Sequence, residues 1–464
     1  MFIGRQDELN ELKSRYESDH FEFGVIYGAR RIGKTSIIKE SIKDREALYF
    51  QALESSELDN RTTFSRFVNK LLNIPFEVVY PTFSDAFDQL IKYADGKALV
   101  LVLDEIAYIA NADKGFLSEL QYCIDHKFKA TRIKLLLSGS NISFMKDILK
   151  DKRGPLFQRS TFKMHITRMP FSDAASFLSG LSNEEKAKYL SVFGGCPFYL
   201  EMIDKSETFE ENIKRLLFGK YGNLSDAPDK ILPSSVTDQG TYNAILRAIA
   251  NRRRTNKDIA SCLGKSENHV AAYLPRLVDN ETIEKREAFS RSQKLNYYEI
   301  SDSLIRFWYK FIFEHKEEIA LGLGEAVYEE AKEGIDDFVA RGFEDVAIAY
   351  LTERNAKGRL PCYYEPIRNY KVDNSRLGRS IELDGLAKGL GKNSNHLLVL
   401  ECKYRSKIFS LEMLEHLEES ASIFEGYSRR DYYLFSKSGF DERVLSEGDN
   451  VHPLTLDDMF RDLD

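Results

Sequence analysis

The strongest constraint in the sequence is a loop in which two glycines enclose four residues and a lysine and a threonine follow. It reads Gly28-Ala29-Arg30-Arg31-Ile32-Gly33-Lys34-Thr35. An apolar strand pattern at 23–27 precedes it and a helix pattern at 34–42 follows it, which is the context that a phosphate-binding P-loop requires. Glycines let backbone N–H groups curl around a phosphate, and the amino end of a helix adds partial positive charge. The spacing therefore predicts a nucleotide site.

Residues in this loop have predicted roles in binding and hydrolysing ATP. We expect Lys34 to reach the β- and γ-phosphates as a catalytic residue, and the Thr35 hydroxyl to hold Mg²⁺. The predicted nucleotide-binding set is the loop and the residue after it: Gly28, Ala29, Arg30, Arg31, Ile32, Gly33, Lys34, Thr35 and Ser36.

Two acids, Asp104 and Glu105, directly follow the most apolar run of the chain, residues 98–103. An uninterrupted apolar strand is typical of a parallel sheet that is covered on both faces. Ligands of such sheets bind at the carboxyl edge, so the acids are predicted to lie near the loop. Asp104 is expected to bind Mg²⁺ through water and Glu105 to orient or deprotonate the attacking water. Hydrolysis is therefore predicted as well as binding.

The order of apolar and amphipathic segments predicts an α/β fold for roughly the first 200 residues. Strands are predicted at 23–27, 47–51, 98–103, 133–137 and 161–166. Beyond residue 237 the pattern changes to that of a winged helix, with three helices and a two-stranded wing. The helices are predicted at 242–250, 255–263 and 266–279, and the wing strands at 282–287 and 296–300.

Composition narrows the classes of function. The length of 464 residues suggests roughly three domains. A net charge of −7 excludes a uniformly basic protein, so any DNA contact has to come from a local patch. The sequence has neither a signal-peptide pattern nor an apolar run near the roughly 20 residues of a membrane helix. Five scattered cysteines without a Cys-x-x-Cys pair fit reduced thiols, and a cytoplasmic protein is predicted.

The winged-helix pattern leaves two interpretations open. Ser266, Asn268 and His269 are placed to meet base edges in DNA. Basic residues that can neutralise backbone phosphates flank them: Arg252, Arg253, Arg254, Lys285, Arg286, Arg291 and Lys294. The same pattern carries the acids Glu267 and Asp279, and winged helices in multidomain ATPases often serve as packing or coupling modules. DNA contact and a packing role are equal alternatives.

A second set of candidate catalytic residues lies in strand patterns at 380–387 and 396–403. Residues two apart on a strand face the same side, so Glu401 shares a face with Lys403. If the two strands pair as a hairpin, Asp384 meets them at one pole. Two carboxylates that hold Mg²⁺ or Mn²⁺ and a lysine that positions water suit phosphodiester hydrolysis. Charged strand edges, or an inactive domain of this fold, are the alternatives.

Arg159 is a candidate arginine finger, because hydrolysis needs a cation on the charge that develops at the γ-phosphate. Arg30 and Arg31 compete for that role from within the loop. A surface arginine without a catalytic part is an equal alternative for Arg159.

Several motifs resemble the archaeal-type ATPase family of the STAND P-loop NTPases, which are relatives of the AAA+ class. They are Phe2-Ile3-Gly4-Arg5, the arginine pair of the loop, Leu103-Asp104-Glu105, Leu137-Ser138-Gly139-Ser140-Asn141 and Gly194-Gly195-Cys196-Pro197-Phe198-Tyr199-Leu200. The resemblance implies that Phe2, Ile3 and Arg5 lie near the adenine. It also implies that Ser140 senses the γ-phosphate and that Pro197 contacts the nucleotide from a helical lid.

The carboxyl-terminal pattern is similar to the PD-(D/E)xK restriction-endonuclease fold, which ends the chain in that family. This similarity implies that Glu344 is a metal ligand besides Asp384 and Glu401. The sequence departs from the pattern in two places: no proline precedes Asp384, and Cys402 occupies the variable position before Lys403.

These patterns together predict an α/β protein in four segments. They are a P-loop NTPase domain with a parallel sheet and helical lid (1–235), a winged helix (236–313), a helical connector (314–336) and a restriction-endonuclease-like α/β domain (337–464). The predicted function is an ATP-hydrolysing switch that acts on or near DNA, with ATP, DNA and a second copy of the chain as partners and no membrane. An ATP-gated, metal-dependent DNA endonuclease and a regulatory or scaffold ATPase without nuclease activity are the alternatives.

Overall fold

The structure, a computed structural model, describes residues 2–152, 154–226, 238–287, 296–374 and 379–461. The chain divides into two compact units, Met1–Arg168 and Met169–Asp464. Within the described ranges, none of the helices combines the length and the apolar character needed to span a membrane.

In the described part of the first unit, five parallel strands form one sheet in the spatial order β2-β3-β4-β1-β5. The strands are β1 Glu22–Tyr27, β2 Ala47–Gln51, β3 Val100–Asp104, β4 Lys134–Gly139 and β5 Phe162–His165. The helices are α1 Gln6–Tyr16, α2 Lys34–Ser41, α3 Glu57–Leu71, α4 Phe83–Ala94, α5 Ala107–Ala112, α6 Phe116–His126 and α7 Ile142–Lys150. The predicted parallel α/β sheet is confirmed.

The central strand β3 is buried along its whole length and packs against helices on both faces. Leu101 and Leu103 belong to the apolar cluster on one face, and Val100 and Val102 to the cluster on the other, because alternate residues of a strand point to opposite sides. The carboxyl ends of β1 and β3 therefore meet the same edge of the sheet, with β4 between them. This edge receives both the loop after Tyr27 and Asp104.

The second unit begins with short helices and continues into a helical cluster with a two-stranded antiparallel sheet. The elements are α8 Phe171–Ser176, α9 Asn183–Phe193, α10 Pro197–Leu200, α11 Phe209–Ile213, α12 Gln239–Ala250, α13 Asn256–Leu263, α14 Glu267–Ala271, α15 Leu274–Asp279, β6 Ile283–Glu287 and β7 Asn296–Ile300. The single helix predicted at 266–279 is wrong. It is two helices, and Pro275, which has no N–H to donate, lies in the first turn of α15.

Parts of two predicted segments lie outside the described residues. Residues 227–235 at the end of the predicted P-loop segment are among them, and so are Arg291 and Lys294 of the predicted wing.

A 33-residue helix, α18 Gly324–Ala356, crosses position 336, where the sequence had suggested a change from connector to carboxyl-terminal domain. Two helices, α16 Ser303–Phe311 and α17 Lys316–Ala320, precede it. The first part of α18 has a charged surface, but Val327, Ile335 and Phe338 are buried along one side. The segments before and after position 337 are thus parts of one continuous helix, and their compositions differ because their surroundings differ.

The last part of the second unit is a five-stranded mixed sheet in the order β12-β11-β10-β9-β8. Its elements are β8 Arg368–Asn374, β9 Arg379–Lys388, β10 His396–Lys403, α19 Leu411–Ser422, β11 Arg429–Ser436, α20 Glu442–Leu445, β12 Val451–Thr455 and α21 Leu456–Arg461. The strands β8, β9 and β10 are antiparallel, and β10, β11 and β12 are parallel. The supposed hairpin of the two acid-bearing strands is present, since Leu400 on β10 pairs with Gly385 on β9.

Candidate functional site

The loop between β1 and α2 has the tight backbone that its glycines require. A Cβ atom at Gly28 would lie 2.1 Å from the carbonyl oxygen of Ile166, so only glycine fits there. Gly33 takes a φ of 95° and precedes the first turn of α2, in which the Ile37 N–H donates to its carbonyl at 2.9 Å. Because α2 begins at Lys34, the positive end of its dipole lies at the loop, where an anion is stabilised.

Lys34 points back into this loop. Its side chain is buried, and Nζ donates to the carbonyl oxygens of Gly28 at 2.9 Å and Ala29 at 2.8 Å. Burial lowers the pKa of Lys34, and the nearby carboxylates of Glu105 and Asp104 oppose that shift. The ammonium group is thus held between the loop and the acid pair.

Asp104 joins three elements at the carboxyl edge of the sheet. Its Oδ2 accepts hydrogen bonds from the Thr35 hydroxyl at 3.1 Å and from the Tyr49 hydroxyl at 2.5 Å. Burial, and then the hydrogen bond to Asp104, raise the pKa of Tyr49. A hydroxyl and a carboxylate within hydrogen-bond distance are the oxygen donors that Mg²⁺ prefers beside nucleotide phosphates. The residues present therefore fit a magnesium ion held by Thr35 and Asp104.

Glu105 is held by the residue predicted to sense the γ-phosphate. Its carboxylate accepts from the Ser140 hydroxyl at 2.7 Å and from the Ser140 N–H at 3.1 Å. Glu105 has a φ of 52°, a left-handed conformation that is unfavourable for residues other than glycine. The structure thus brings Ser140 and Glu105 together at the ends of β4 and β3.

Arg5 supports the loop from the amino terminus. The guanidinium is buried and donates to the carbonyl oxygens of Ile32 at 3.2 Å and Thr167 at 2.7 Å and to Glu8 at 2.7 Å. Phe2 is partly buried against the apolar cluster that contains Ile32. The amino-terminal motif is therefore next to the loop, and the contact of Phe2, Ile3 and Arg5 with adenine stays a prediction.

Arg159 lies at the other edge of the sheet. It precedes β5, whose first residue, Phe162, pairs with Gly24 near the start of β1. Its guanidinium donates to Asp125 at 2.9 and 2.8 Å, and this bond lowers the pKa of Asp125 to about 2. The loop follows the opposite end of β1, so the structure does not bring Arg159 to the loop of its own chain.

The other residues that were predicted to contact the nucleotide lie in different surroundings. Arg30 is exposed and donates to the Tyr108 hydroxyl at 3.4 Å, while Arg31 has a φ of 68°. Ser36 is exposed on the first turn of α2. Pro197 is the first residue of α10 in the second unit, and its contact with nucleotide stays a prediction.

Neither Tyr49 nor Tyr108 was predicted to be part of the site. Tyr49 lies in the predicted second strand, two residues before Gln51, which pairs with Asp104. An order of strands with β2 beside β3 would have placed it there, but the pattern of apolar residues does not specify strand order.

The second candidate site lies on the β9–β10 hairpin. Asp384 Oδ2 accepts from the Cys402 N–H at 2.8 Å, and Glu401 and Lys403 form an ion pair. Burial raises the pKa of Asp384 well above its usual value, and Glu401 and Glu344 raise it further. The four predicted residues of this site are therefore electrostatic neighbours.

The other two titratable groups of this site are shifted as well. Burial raises the pKa of Glu344 to about 7, and Asp345 adds to the shift. Burial opposes the charge of Lys403, but Glu401 and Asp384 more than compensate, so the pKa of Lys403 is raised.

These acids are not arranged as a complete set of metal ligands. Among the described residues, no group of three or more His, Cys, Asp or Glu side chains is arranged so that it could hold a metal ion. Glu401 is engaged by Lys403, and Asp384 by the backbone of Cys402. Metal binding by Glu344, Asp384 and Glu401 stays a prediction that requires Glu401 to exchange its partner.

Several residues of the predicted winged helix that were proposed for DNA contact have partners inside the second unit. The Ser266 hydroxyl caps α14 by accepting from the His269 N–H at 3.2 Å, and the His269 ring packs on Tyr273 with centroids 5.2 Å apart. Arg254 and Arg286 both pair with the buried Glu299, at 2.7 and 2.6 Å. Arg252 and Arg253 remain exposed.

Two family profiles match separate parts of this chain. Residues 2–203 match an ATPase domain that is predominantly from Archaea, and residues 308–417 match a family of archaeal and bacterial proteins of unknown function. The first match covers the loop and the acid pair, and the second covers α18 and the β9–β10 hairpin.

Individual proteins extend this similarity over most of the chain. An uncharacterized protein of Methanocaldococcus jannaschii is 30% identical over 412 residues, 87% of this chain and 88% of that protein. An uncharacterized ATP-binding protein of the same organism is 33% identical over 46 residues, 10% of this chain and 78% of that protein. The solved Walker-type ATPase of Pyrococcus abyssi has a TM-score of 0.52 at 17% identity, over 66% of this chain and 96% of that one, which shows a shared fold.

Proposed function

Because the chain belongs to the same family as the Methanocaldococcus jannaschii relative and carries the archaeal ATPase domain, we propose that it is an ATP-hydrolysing switch that uses Mg²⁺. The proposal rests above all on one observation. Lys34 and Thr35 at the start of α2 are linked to the acid pair Asp104-Glu105 at the end of β3, at one edge of the sheet.

Each of these groups has a distinct part in the proposed reaction. When bound, Mg²⁺ neutralises charge on the β- and γ-phosphates. Lys34 binds phosphate oxygens. Because its side chain is already buried, little water has to be removed from it when the phosphate binds. Thr35 and Asp104 supply oxygen donors for the ion, and Glu105 orients the attacking water after it is released from Ser140. The hydrogen bonds between Ser140 and Glu105 thus keep the base inactive until the nucleotide engages Ser140.

Binding of ATP is tested by titration calorimetry with and without Mg²⁺. We expect Lys34→Ala to weaken ATP binding at least about 100-fold, because it removes a charge-assisted contact from a buried site. The matched control is Lys43→Ala, which removes an exposed lysine just after the same helix and should leave the affinity within about twofold. Equal effects of the two substitutions would contradict the assigned role of Lys34.

Oligomerisation is part of the proposal because of where Arg159 lies. At the amino edge of the sheet, Arg159 can serve as an arginine finger only for the nucleotide of another copy of the chain. Its ion pair with Asp125 would then have to open. Turnover that does not change with protein concentration would argue against this role.

The cytoplasm is the compartment that fits this proposal. All five cysteines are free thiols, as is usual in a reducing compartment.

The second candidate function is metal-dependent hydrolysis of phosphodiesters by a PD-(D/E)xK-like site. The clustering of Asp384, Glu401 and Lys403 on the β9–β10 hairpin favours it. Glu401 and Glu344 add to the effect of burial and raise the pKa of Asp384, a repulsion that a bound divalent cation would relieve. In this case nucleotide hydrolysis in the first unit would gate cleavage in the second.

Cleavage is tested on plasmid and linear DNA with Mg²⁺ or Mn²⁺, with and without ATP. We expect wild type to nick DNA and Asp384→Asn and Glu401→Ala to lose at least 90% of the rate, roughly one factor of ten or more. Glu365→Ala removes an exposed acid of the same unit and is the matched control. No cleavage under any condition, with ATP binding intact, would leave a regulatory or scaffold ATPase.

A further inference from the structure

The second unit contains a cavity of about 530 Å³ between the winged helix, α18 and β9. Its wall includes Arg252 after α12, Lys310 on α16, Arg341 and Glu344 on α18, and Glu382 and Asp384 on β9. Pockets of roughly 300–1,000 Å³ are typical of sites for small ligands. The cavity is therefore large enough for a molecule of nucleotide size.

Ion pairs fix the frame of this cavity. Arg306 pairs with Asp345 at 2.6 Å and so ties α16 to α18. Arg254 pairs with Glu299 at 2.7 Å and ties the connection between α12 and α13 to β7. Because these cations are neutralised within the frame, they are not the groups that a ligand would meet.

Three other cations on the wall have no such partner. Arg252, Lys310 and Arg341 make no ion pair with any carboxylate among the described residues. Arg252 is exposed in part, but the part of its side chain that lines the cavity is desolvated, which lowers its pKa, and repulsion from Arg341 and Arg254 lowers it further. Burial also lowers the pKa of Lys310, with added repulsion from Arg341 and Arg252. An anion bound among the three would relieve this repulsion.

The cavity is also lined by carboxylates. Glu344, Glu382 and Asp384 line it, and carboxylates accept hydrogen bonds from the hydroxyls of a ribose. The half-buried rings of Tyr297 and Tyr370 contribute aromatic surface, on which a base can stack. The cavity thus offers cations for a phosphate, carboxylates for hydroxyl and amino donors and ring surface for a base, and this set of groups matches the chemistry of a nucleotide.

We propose that this cavity binds a nucleoside phosphate, with its phosphate on Arg252, Lys310 and Arg341. The source is either the end of a single nucleic-acid strand or a free nucleotide. A volume of 530 Å³ corresponds to a sphere roughly 10 Å across, and a double helix does not fit because its major groove alone is about 12 Å wide. This inference is independent of the ATPase, and for the second candidate function it names the substrate class as a single strand.

The test uses the full chain with Lys34→Ala, so that the P-loop does not take up the probe, in EDTA, so that no metal-dependent cleavage occurs. Fluorescence anisotropy follows a labelled 12-residue oligothymidylate, alone or paired with its complement, and free dTMP serves as competitor. We expect the single strand to bind at least about tenfold more tightly than the duplex. Displacement by dTMP would identify a free nucleotide as sufficient, and its absence would identify a strand end.

Two neighbouring arginines supply the matched variants. Arg252→Gln and Arg341→Gln are expected to raise Kd about tenfold or more, the size of a lost charge-assisted contact. Arg253→Gln changes the net charge equally in the same triplet but removes a side chain that is not part of the wall, and should change Kd less than twofold. Thermal unfolding of each variant checks that the fold is intact.

Three results would overturn the proposal. The first is equal weakening by Arg252→Gln and Arg253→Gln, which would indicate general attraction to phosphate. The second is equal affinity for single strand and duplex, and the third is no binding of either probe or dTMP. None of them would bear on ATP binding at Lys34, because the probe is measured on Lys34→Ala.

Discussion

At the scale of single residues, Gly28 shows how closely the loop approaches its neighbour. The Cβ of an alanine there would lie 2.1 Å from the Ile166 carbonyl oxygen, so the loop would have to move away from the end of β5. We expect Gly28→Ala to weaken ATP binding at least about 100-fold and to destabilise the first unit by about 1–3 kcal/mol, as overpacking does. Calorimetry and thermal unfolding measure the two effects.

The control for this substitution is Gly240→Ala in the first turn of α12. The nearest atom to its new Cβ is 3.9 Å away, and alanine is favoured over glycine in a helix by about 0.5–1 kcal/mol. Gly240→Ala should leave ATP binding unchanged and raise the temperature of thermal unfolding slightly. An equally mild effect of Gly28→Ala would show that the loop tolerates displacement.

Glu344 predicts a dependence of stability on pH. Burial raises its pKa to about 7 from an ordinary value of 4.5. Between these values the unfolded chain has lost the proton that the folded chain keeps, so this group stabilises the fold at low pH and its contribution is lost as pH rises towards 7. We expect Glu344→Gln in EDTA to be more stable than wild type at pH 8 and to lose that advantage at pH 5.

Urea denaturation at a series of pH values measures this difference. Glu365→Gln, at an exposed position, should track wild type across the range. A constant difference between wild type and Glu344→Gln would mean that Glu344 does not titrate in this interval.

The sequence predicted residues whose function depends on spacing along the chain. The loop, Asp104 and Glu105 are adjacent to strands that define their direction, so their meeting at one edge followed from the order of apolar segments. Partners that are distant in sequence could not be predicted in this way. The hydrogen bond of Tyr49 to Asp104 and the support of Ile32 by Arg5 depend on strand order and loop path.

At the scale of elements, the packing of α18 on α9 depends on a glycine. A Cβ at Gly342 would lie 2.7 Å from Ser191 Cβ and 2.8 Å from its carbonyl oxygen. Because Ser191 is fully buried on α9, we expect Gly342→Ala to separate the helices and to destabilise the second unit by about 1–3 kcal/mol. Chemical denaturation measures the change.

Gly334→Ala in the same helix is the comparison. Its Cβ would lie 3.0 Å from an edge carbon of the Phe311 ring, a side chain that can shift. We expect a change within about 1 kcal/mol, since the helical preference for alanine offsets the contact. If both variants lost equal stability, close approach to the backbone of α9 would not be the cause.

Strands with an apolar or alternating sequence were predictable, at the edge of a sheet as well as in its centre. The five strands of the first unit, including the edge strands β2 and β5, were each predicted within two residues of their ends. Strand β8 was missed because its sequence is mostly polar. The break between α14 and α15 was missed because the apolar pattern continues through Pro275, although proline itself is the signal for such a break.

At the scale of the whole molecule, the proposed switch predicts that nucleotide affects both compact units. ATP that binds only the folded first unit stabilises it by about 2.7 kcal/mol at 100 times Kd. In differential scanning calorimetry, we expect Mg²⁺ and ATP to raise the unfolding transition of the first unit by several degrees. A switch requires a smaller shift of the second unit as well, since its state has to depend on the nucleotide.

Lys34→Ala separates direct from transmitted effects in this experiment. It should abolish the ATP-induced shift of the first unit's unfolding transition. The part of the second unit's shift that is transmitted from the first unit should disappear with it. A second-unit transition that is unmoved in wild type would contradict a switch and leave an ATPase with independent accessory domains.

The most direct test of the central claim is ATP turnover by Glu105→Gln measured beside its ATP affinity. Because glutamine keeps the shape of the side chain but cannot take up a proton, we expect affinity within about threefold of wild type and phosphate release at least about 100-fold slower. Glu119→Gln, a substitution on α6 away from the loop, is the control. An unchanged rate of phosphate release in Glu105→Gln would contradict the assignment of Glu105 as the residue that activates water, and no release by wild type would contradict the ATPase itself.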